Sequence, residues 1–181
     1  RSTEIGKDDK LEDSFLVKLN KCFSSDWTKT VKIFSKPQPG QEQRIGNSIH
    51  RVLERIRVPE DMSKAMALAN QEFQWSKQEY NFISKKINSV LNDSRLNMLF
   101  SAEEIYSERP LIVPGQGIYR PDRLVKCKNG PWVVVDYKTG EQKKEHQDKI
   151  YNYARGIESV IGAQPQTILL YIGDKIVIHE N

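Results

Sequence analysis

The segment Trp132-Val133-Val134-Val135-Asp136-Tyr137-Lys138 narrows the folds open to this chain more than any other stretch. A run this dense in β-branched residues reads as a strand buried on both faces, yet it ends on a carboxylate and an ammonium. Together with Gly117 to Lys126 it makes two strands flanking Lys128-Asn129-Gly130. If all three residues form the loop, with Gly130 at the left-handed position, Asp122 lies directly opposite Asp136, with Cβ atoms about 4.5–5.5 Å apart. If only Asn129-Gly130 form the turn, the register shifts by one and the two aspartates face opposite sides. Chemistry favours the three-residue loop. Facing carboxylates destabilise a sheet unless something neutralises them, and a divalent cation that prefers oxygen ligands does so.

Lys138 stands two residues after Asp136, so both side chains leave the same face of the strand. An ammonium there can orient an attacking water and offset charge building on a phosphate oxygen, while a cation activates the water. Two carboxylates, a cation and a lysine make a hydrolytic phosphodiester site. The plainer reading of an acidic residue two before a lysine is a solvated ion pair; Asp8-Asp9-Lys10 and Glu141-Gln142-Lys143 share the spacing. Asp136 differs because it emerges from an apolar strand. Asp122 differs because it follows Pro121, which suits an edge or a bulge.

Elsewhere the pattern is helical first and extended later. Leu16, Leu19, Phe23 and Trp27 are spaced as one helix face within a segment from Leu11 to about Phe34, and residues 35–41 read as a loop. Ile45, Ile49, Val52, Leu53 and Ile56 predict a helix over about 43–57. Pro59 and Asp61 open another. A long pattern runs from Phe73 to Leu91, and Ser94 is placed to cap a short helix ending near Phe100. Residues 105–113 read as a strand interrupted by Pro110. Glu141 to Val160 reads as a helix with core residues Ile150, Ala154, Ile157 and Ile161. Thr167 to Ile172 and Lys175 to His179 are two last strands. The expected organisation is an N-terminal extension and linker over 1–42, then a domain over 43–181 with a helical part (43–100) and a sheet core (101–181). The class is α/β, a mixed central sheet flanked by helices, with an N-terminal helical region.

Composition sets outer bounds. The 181 residues carry 28 Lys+Arg against 24 Asp+Glu, a net +4 that only hints at a polyanionic partner. No apolar run approaches the ~18 residues of a membrane span. Cys22 and Cys127 are too few for a disulfide framework or a four-thiolate cluster, so a reducing, cytoplasmic compartment is expected. The first residue is Arg and not Met, as expected of a piece of a longer protein.

Other chemistry-bearing residues flank the hairpin. His50 follows the core residue Ile49 on the edge of a helix's apolar face, where a packing role is the simpler reading; beside two carboxylates, its imidazole would shift a site toward Mn2+. Gln147 and Tyr151 are i and i+4 on one helix and share a face. That face is expected to lie beside the site, where Gln can hydrogen-bond a phosphate or base edge and Tyr can stack on a base.

Taken in order, Gly46-x-x-x-His50, Ser107-Glu108-Arg109-Pro110, Gly117-Ile-Tyr-Arg-Pro-Asp122-Arg123, Val135-Asp136-Tyr137-Lys138-Thr139-Gly140 and Gln147-x-x-x-Tyr151 resemble the motifs of the RecB/AddA-like nuclease domain. That domain is a branch of the PD-(D/E)xK superfamily, with a restriction-endonuclease-like core. The resemblance covers about residues 45–155. It implies a Mg2+- or Mn2+-dependent deoxyribonuclease, of exonuclease type, acting in DNA end processing and recombinational repair. His50, Asp122 and Asp136 would hold the metal with the Tyr137 carbonyl, and Asp122, Asp136 and Lys138 would be catalytic. Gln147, Tyr151 and Arg123 would contact nucleic acid, and Glu108 would support the site. The implied partners are DNA and helicase domains of the same or a partner chain, with no membrane. Some branches bind an iron–sulfur cluster through four cysteines; with two cysteines, none is expected within this chain. The alternative is a DNA-binding module with weak or regulatory nuclease activity. A third reading, a protein-interaction domain keeping only the fold, predicts no metal binding.

Overall fold

The structure is a computed structural model that describes residues 40–113 and 117–180. The expected helix face of Leu16, Leu19, Phe23 and Trp27, and residues 35–39 of the loop, lie outside the described residues. Among the described residues, four helices come first: α1 (Gln41–Arg55), α2 (Met62–Phe73), α3 (Lys77–Leu91) and the single turn α4 (Asn97–Phe100). Strands β1 (Glu104–Ser107), β2 (Leu111–Val113), β3 (Gly117–Tyr119), β4 (Arg123–Lys126) and β5 (Trp132–Lys138) follow. Helix α5 (Lys144–Ile161) and strands β6 (Gln166–Ile172) and β7 (Ile176–Glu180) complete the described chain.

Several boundaries differ from expectation, each for a local reason. The helix expected from Phe73 to Leu91 begins only at Lys77, and Phe73 is the last residue of α2. Gln74 takes a left-handed conformation, φ 50°, and ends α2, while Ser76 and Glu79 form a capping box that starts α3. Asp93 rather than Ser94 accepts the amide that opens the next turn. Gly117 to Lys126 is split at Arg120-Pro121-Asp122, where proline cannot donate to a ladder.

The main sheet has the order β1-β4-β5-β6-β7, and β2 pairs with β3 in a separate two-stranded sheet. Only β5 and β6 run parallel; the other neighbours are antiparallel. Alternation along β5 divides the molecule into two layers. Val133, Val135 and Tyr137 face α1 to α4, while Val134 meets α5 through Ile150, Ala154 and Ile157. The strand is buried from both sides, and each of these valines contributes about 1.5–3 kcal/mol by leaving water.

The β4–β5 register is the one that the three-residue loop requires: Arg123 opposes Val135 and Lys126 opposes Trp132. Asn129, not Gly130, takes the left-handed conformation, with φ 53°. Asparagine tolerates that region. Gly130 is required for space, since a Cβ there would lie 2.9 Å from the Cβ of Cys127.

Arg123 projects into the helical layer and is fully buried. Its guanidinium donates to the carbonyls of Leu53 and Ile56, at the end of α1, and of Leu99 in α4, and it lies 4.8 Å from the Phe100 ring. A helix C-terminus leaves such carbonyls unpaired, and here one side chain satisfies them. The expectation that Arg123 contacts nucleic acid is therefore corrected: the residue has no exposed surface. Replacing it tests this role. Arg123→Met should cost about 2–4 kcal/mol in a denaturant titration, because three buried carbonyls lose their donor. An unchanged midpoint would contradict the assignment.

Candidate active site

The site forms where β5 ends, the loop before β4 turns, and α1 crosses. Close approach of α1 depends on Gly46. A Cβ there would lie 2.6 Å from Thr139 Oγ1, just beyond Lys138. One turn later on α1, the His50 ring meets Tyr137 edge-on, with centroids 5.8 Å apart and planes at 82°. His50 Nδ1 stands 3.5 Å from Asp122 Oδ2. The Asp122 carboxylate also accepts the Tyr137 amide at 2.6 Å, tying the end of β5 to the turn before β4.

Glu108 enters from the loop after β1. Its backbone is in the left-handed region, φ 52°, a conformation costly for a non-glycine residue and found most often at functional sites. Its amide donates to the Asp122 carbonyl at 3.1 Å, and Arg120 Nε donates to its Oε2 at 2.8 Å. His50, Glu108 and Asp122 each bring one ligand atom to within 4.8 Å of the others. Burial, and after it the charge of Asp122, push the Glu108 carboxyl above its ordinary value. Burial would raise Asp122 too, but the His50 hydrogen bond and charge and the Tyr137 amide outweigh it and hold that carboxyl low.

Asp136 is arranged differently. It is fully buried on the α5 side of β5. Its Oδ2 takes the ammonium of Lys138, and its Oδ1 takes Lys149 Nζ at 2.8 Å. Asp122 and Asp136 are thus neighbours across the hairpin whose carboxylates have different partners. The expected meeting of His50, Asp122 and Asp136 becomes a cluster of His50, Asp122 and Glu108, with Asp136 beside it in two ion pairs. Lys138 is where strand alternation puts it, on the face of Asp136.

The flank of α5 that meets the carboxylates carries Lys149, Tyr153 and Gly156. Tyr153 Oη donates to the Arg120 carbonyl at 3.1 Å, and Tyr119 packs edge-on against the Tyr153 ring and close to Gly156. Gln147 and Tyr151 are two positions from Lys149, about 200° around the helix. Both are exposed, Tyr151 by 58%, on a different flank of α5 from Lys149. Sequence reading also missed His146, whose Nδ1 lies 2.9 Å from the Tyr171 hydroxyl. Burial, and then Lys138, lower its pKa. With His50, Tyr137 and Lys138 it lines an open cleft of about 380 Å³.

A family model for the PD-(D/E)XK nuclease superfamily matches residues 27–169. The chain belongs to this superfamily. Among curated proteins it is similar to an ATP-dependent helicase/nuclease subunit of two Clostridium kluyveri strains (ATCC 8527 and NBRC 12016), at 24% identity over 150 residues. The match takes in 75% of this chain and 12% of each relative, so the chain spans only a small part of their length. Among solved structures, the crystal structure of SSO0001 is similar at 22% identity and a TM-score of 0.28, over 74% of this chain and 64% of that one. A likeness of that size carries no argument. Among the described residues, no helix is long and apolar enough to cross a membrane.

Nucleases of this superfamily typically use divalent metals. The donor set of this nuclease domain fits one. An imidazole and two carboxylates converge, and one carboxyl is pushed up by burial first and then by the other's charge, both of which a cation would offset. A raised pKa means that ionised Glu108 costs the metal-free fold stability. The cost is absent well below the ordinary value of 4.5, where the group is protonated folded or unfolded, and present above the raised value. Glu108→Gln should therefore raise the metal-free melting temperature at pH 7, with the gain fading as pH falls below 4.5. The same variant should bind Mn2+ about tenfold more weakly or worse by calorimetry. A metal-free variant no more stable than wild type at pH 7 would contradict the electrostatic account.

Proposed function

We propose that this domain is a Mg2+- or Mn2+-dependent deoxyribonuclease that hydrolyses phosphodiesters exonucleolytically, as part of a helicase–nuclease in DNA end processing and recombinational repair. The observation that carries the reading is the cluster of His50, Glu108 and Asp122 beside the Asp136–Lys138 pair, in a chain of this superfamily. His50, Asp122 and Glu108 would hold the cation, with Asp136 and the Tyr137 carbonyl completing the set. The cation supplies Lewis acidity and a nucleophilic water near neutral pH.

The protein's own groups do the rest. Asp122 and Asp136 are held beside each other by the hairpin register, which removes the entropy of assembling them. Lys138, tethered two residues from Asp136, is placed to orient the attacking water and to offset negative charge on the phosphoryl oxygens. Tyr137 packs under His50 and fixes its ring. Gln147 and Tyr151 are exposed groups suited to a DNA strand, through a phosphate or base-edge hydrogen bond and a stacked base. The helicase link rests on the similarity to part of a helicase/nuclease protein.

The test uses the chain with linear single- and double-stranded DNA and Mn2+. Cleavage should fall by about a hundredfold or more in Asp136→Ala and in Lys138→Ala. Wild-type activity no higher than that of both variants would overturn the reading. Salt-dependent binding without cleavage would instead support a binding module.

A further inference from the structure

A buried carboxylate is rarely left with a charge from one side only, and Asp136 has two lysines from different elements. Lys138 reaches it along the same strand, and its side chain is only 18% exposed. Lys149 reaches it from α5, with its side chain 45% exposed and its Nζ 5.1 Å from the centre of the Tyr153 ring. The two pairs occupy both oxygens of Asp136. In this arrangement Asp136 lies outside the group formed by His50, Glu108 and Asp122. A cation that recruits Asp136 meets an ammonium already on each of its oxygens, and the two like charges oppose its approach.

We propose that Lys149 is a built-in counter-ion of Asp136 that competes with the cation, lets go when the cation binds, and is then free to meet a DNA phosphate. The inference rests on the proposed role of Asp136 as a metal ligand. Lys149 is the pair member that leaves for two reasons. Its side chain is nearly half exposed, so water can take over its charge on release, whereas Lys138 is tethered two residues from Asp136 and mostly covered. It also sits on the flank of α5 that faces the carboxylates, where a released ammonium stays within reach of the phosphate being cut. Lys149 is thus a positioning residue for the empty site and a phosphate contact for the filled one. No bond is made or broken in the exchange; one positive charge replaces another on a carboxylate oxygen.

The exchange predicts opposite movements of metal affinity and cleavage. Lys149→Met should bind Mn2+ about three- to tenfold more tightly by calorimetry, because a competitor is gone. It should cleave DNA more slowly and bind DNA more weakly in Ca2+, with the salt slope of binding reduced by about one. Lys149→Arg, which keeps the charge, should return Mn2+ affinity towards wild type. A merely structural lysine would weaken metal binding and cleavage together. Equal or weaker Mn2+ binding by Lys149→Met overturns the counter-ion role alone. Failure of both wild type and variant to bind Mn2+ overturns the nuclease reading with it. A second measurement needs no variant. Acetylation of Lys149 in the wild-type chain, followed by mass spectrometry, should speed up several-fold when Mn2+ is added. Labelling that is unchanged by saturating Mn2+ would also overturn the proposal.

Discussion

The charge of Asp136 has no water to dissolve it. It ends a strand covered by helices on both faces, and its own exposure is nil. A lone carboxylate in such a place would neutralise itself by taking a proton. Here two ammoniums meet it, one from the same strand and one from α5. The path of β5 and the docking of α5 bring these three charged groups together in an apolar wall. The wall in turn strengthens every electrostatic interaction made at its edge.

Neighbouring Asp122 shows a different solution to the same problem. Its pKa is held low against burial by an imidazole and a backbone amide first, with the charge of Lys149 a smaller cause. One aspartate is therefore shared between an imidazole and an amide, and the other between two ammoniums. Glu108 completes the first group from a strained loop, and burial, with the charge of Asp122 after it, raises its pKa. The strain and the crowding are local costs that the surrounding fold sustains, as is common where a structure is shaped for chemistry and not for stability.

Much of this was legible in the sequence, and the parts that were not share a cause. Strand β5, the three-residue loop, the hairpin register and the core stripe of α5 follow from periodicity and turn chemistry, which are local. Asp136 and Lys138 on one face follow from strand alternation. The fate of Arg123 was not legible, because a charged residue beside an aspartate says nothing about distant carbonyls, and its partners at Leu53, Ile56 and Leu99 come from elsewhere in the chain. The meeting of Glu108 with His50 and the pairing of Lys149 were hidden for the same reason. One depends on a left-handed residue in a loop and the other on how α5 docks. A partial signal existed: Lys149 and Tyr153 lie next to the core stripe of Ile150, Ala154 and Ile157, whereas Gln147 and Tyr151 flank it on the far side.

Asp122 and Arg123 are adjacent in sequence, yet one faces the chemistry and the other ties the helical layer together. A slip of the hairpin by a single residue would exchange their surroundings, withdrawing the carboxylate and expelling the guanidinium in one move. A misregistered chain would then be both unstable and inert. Register thus couples stability to the site: the same one-residue slip that breaks the helical layer also dismantles the carboxylate cluster.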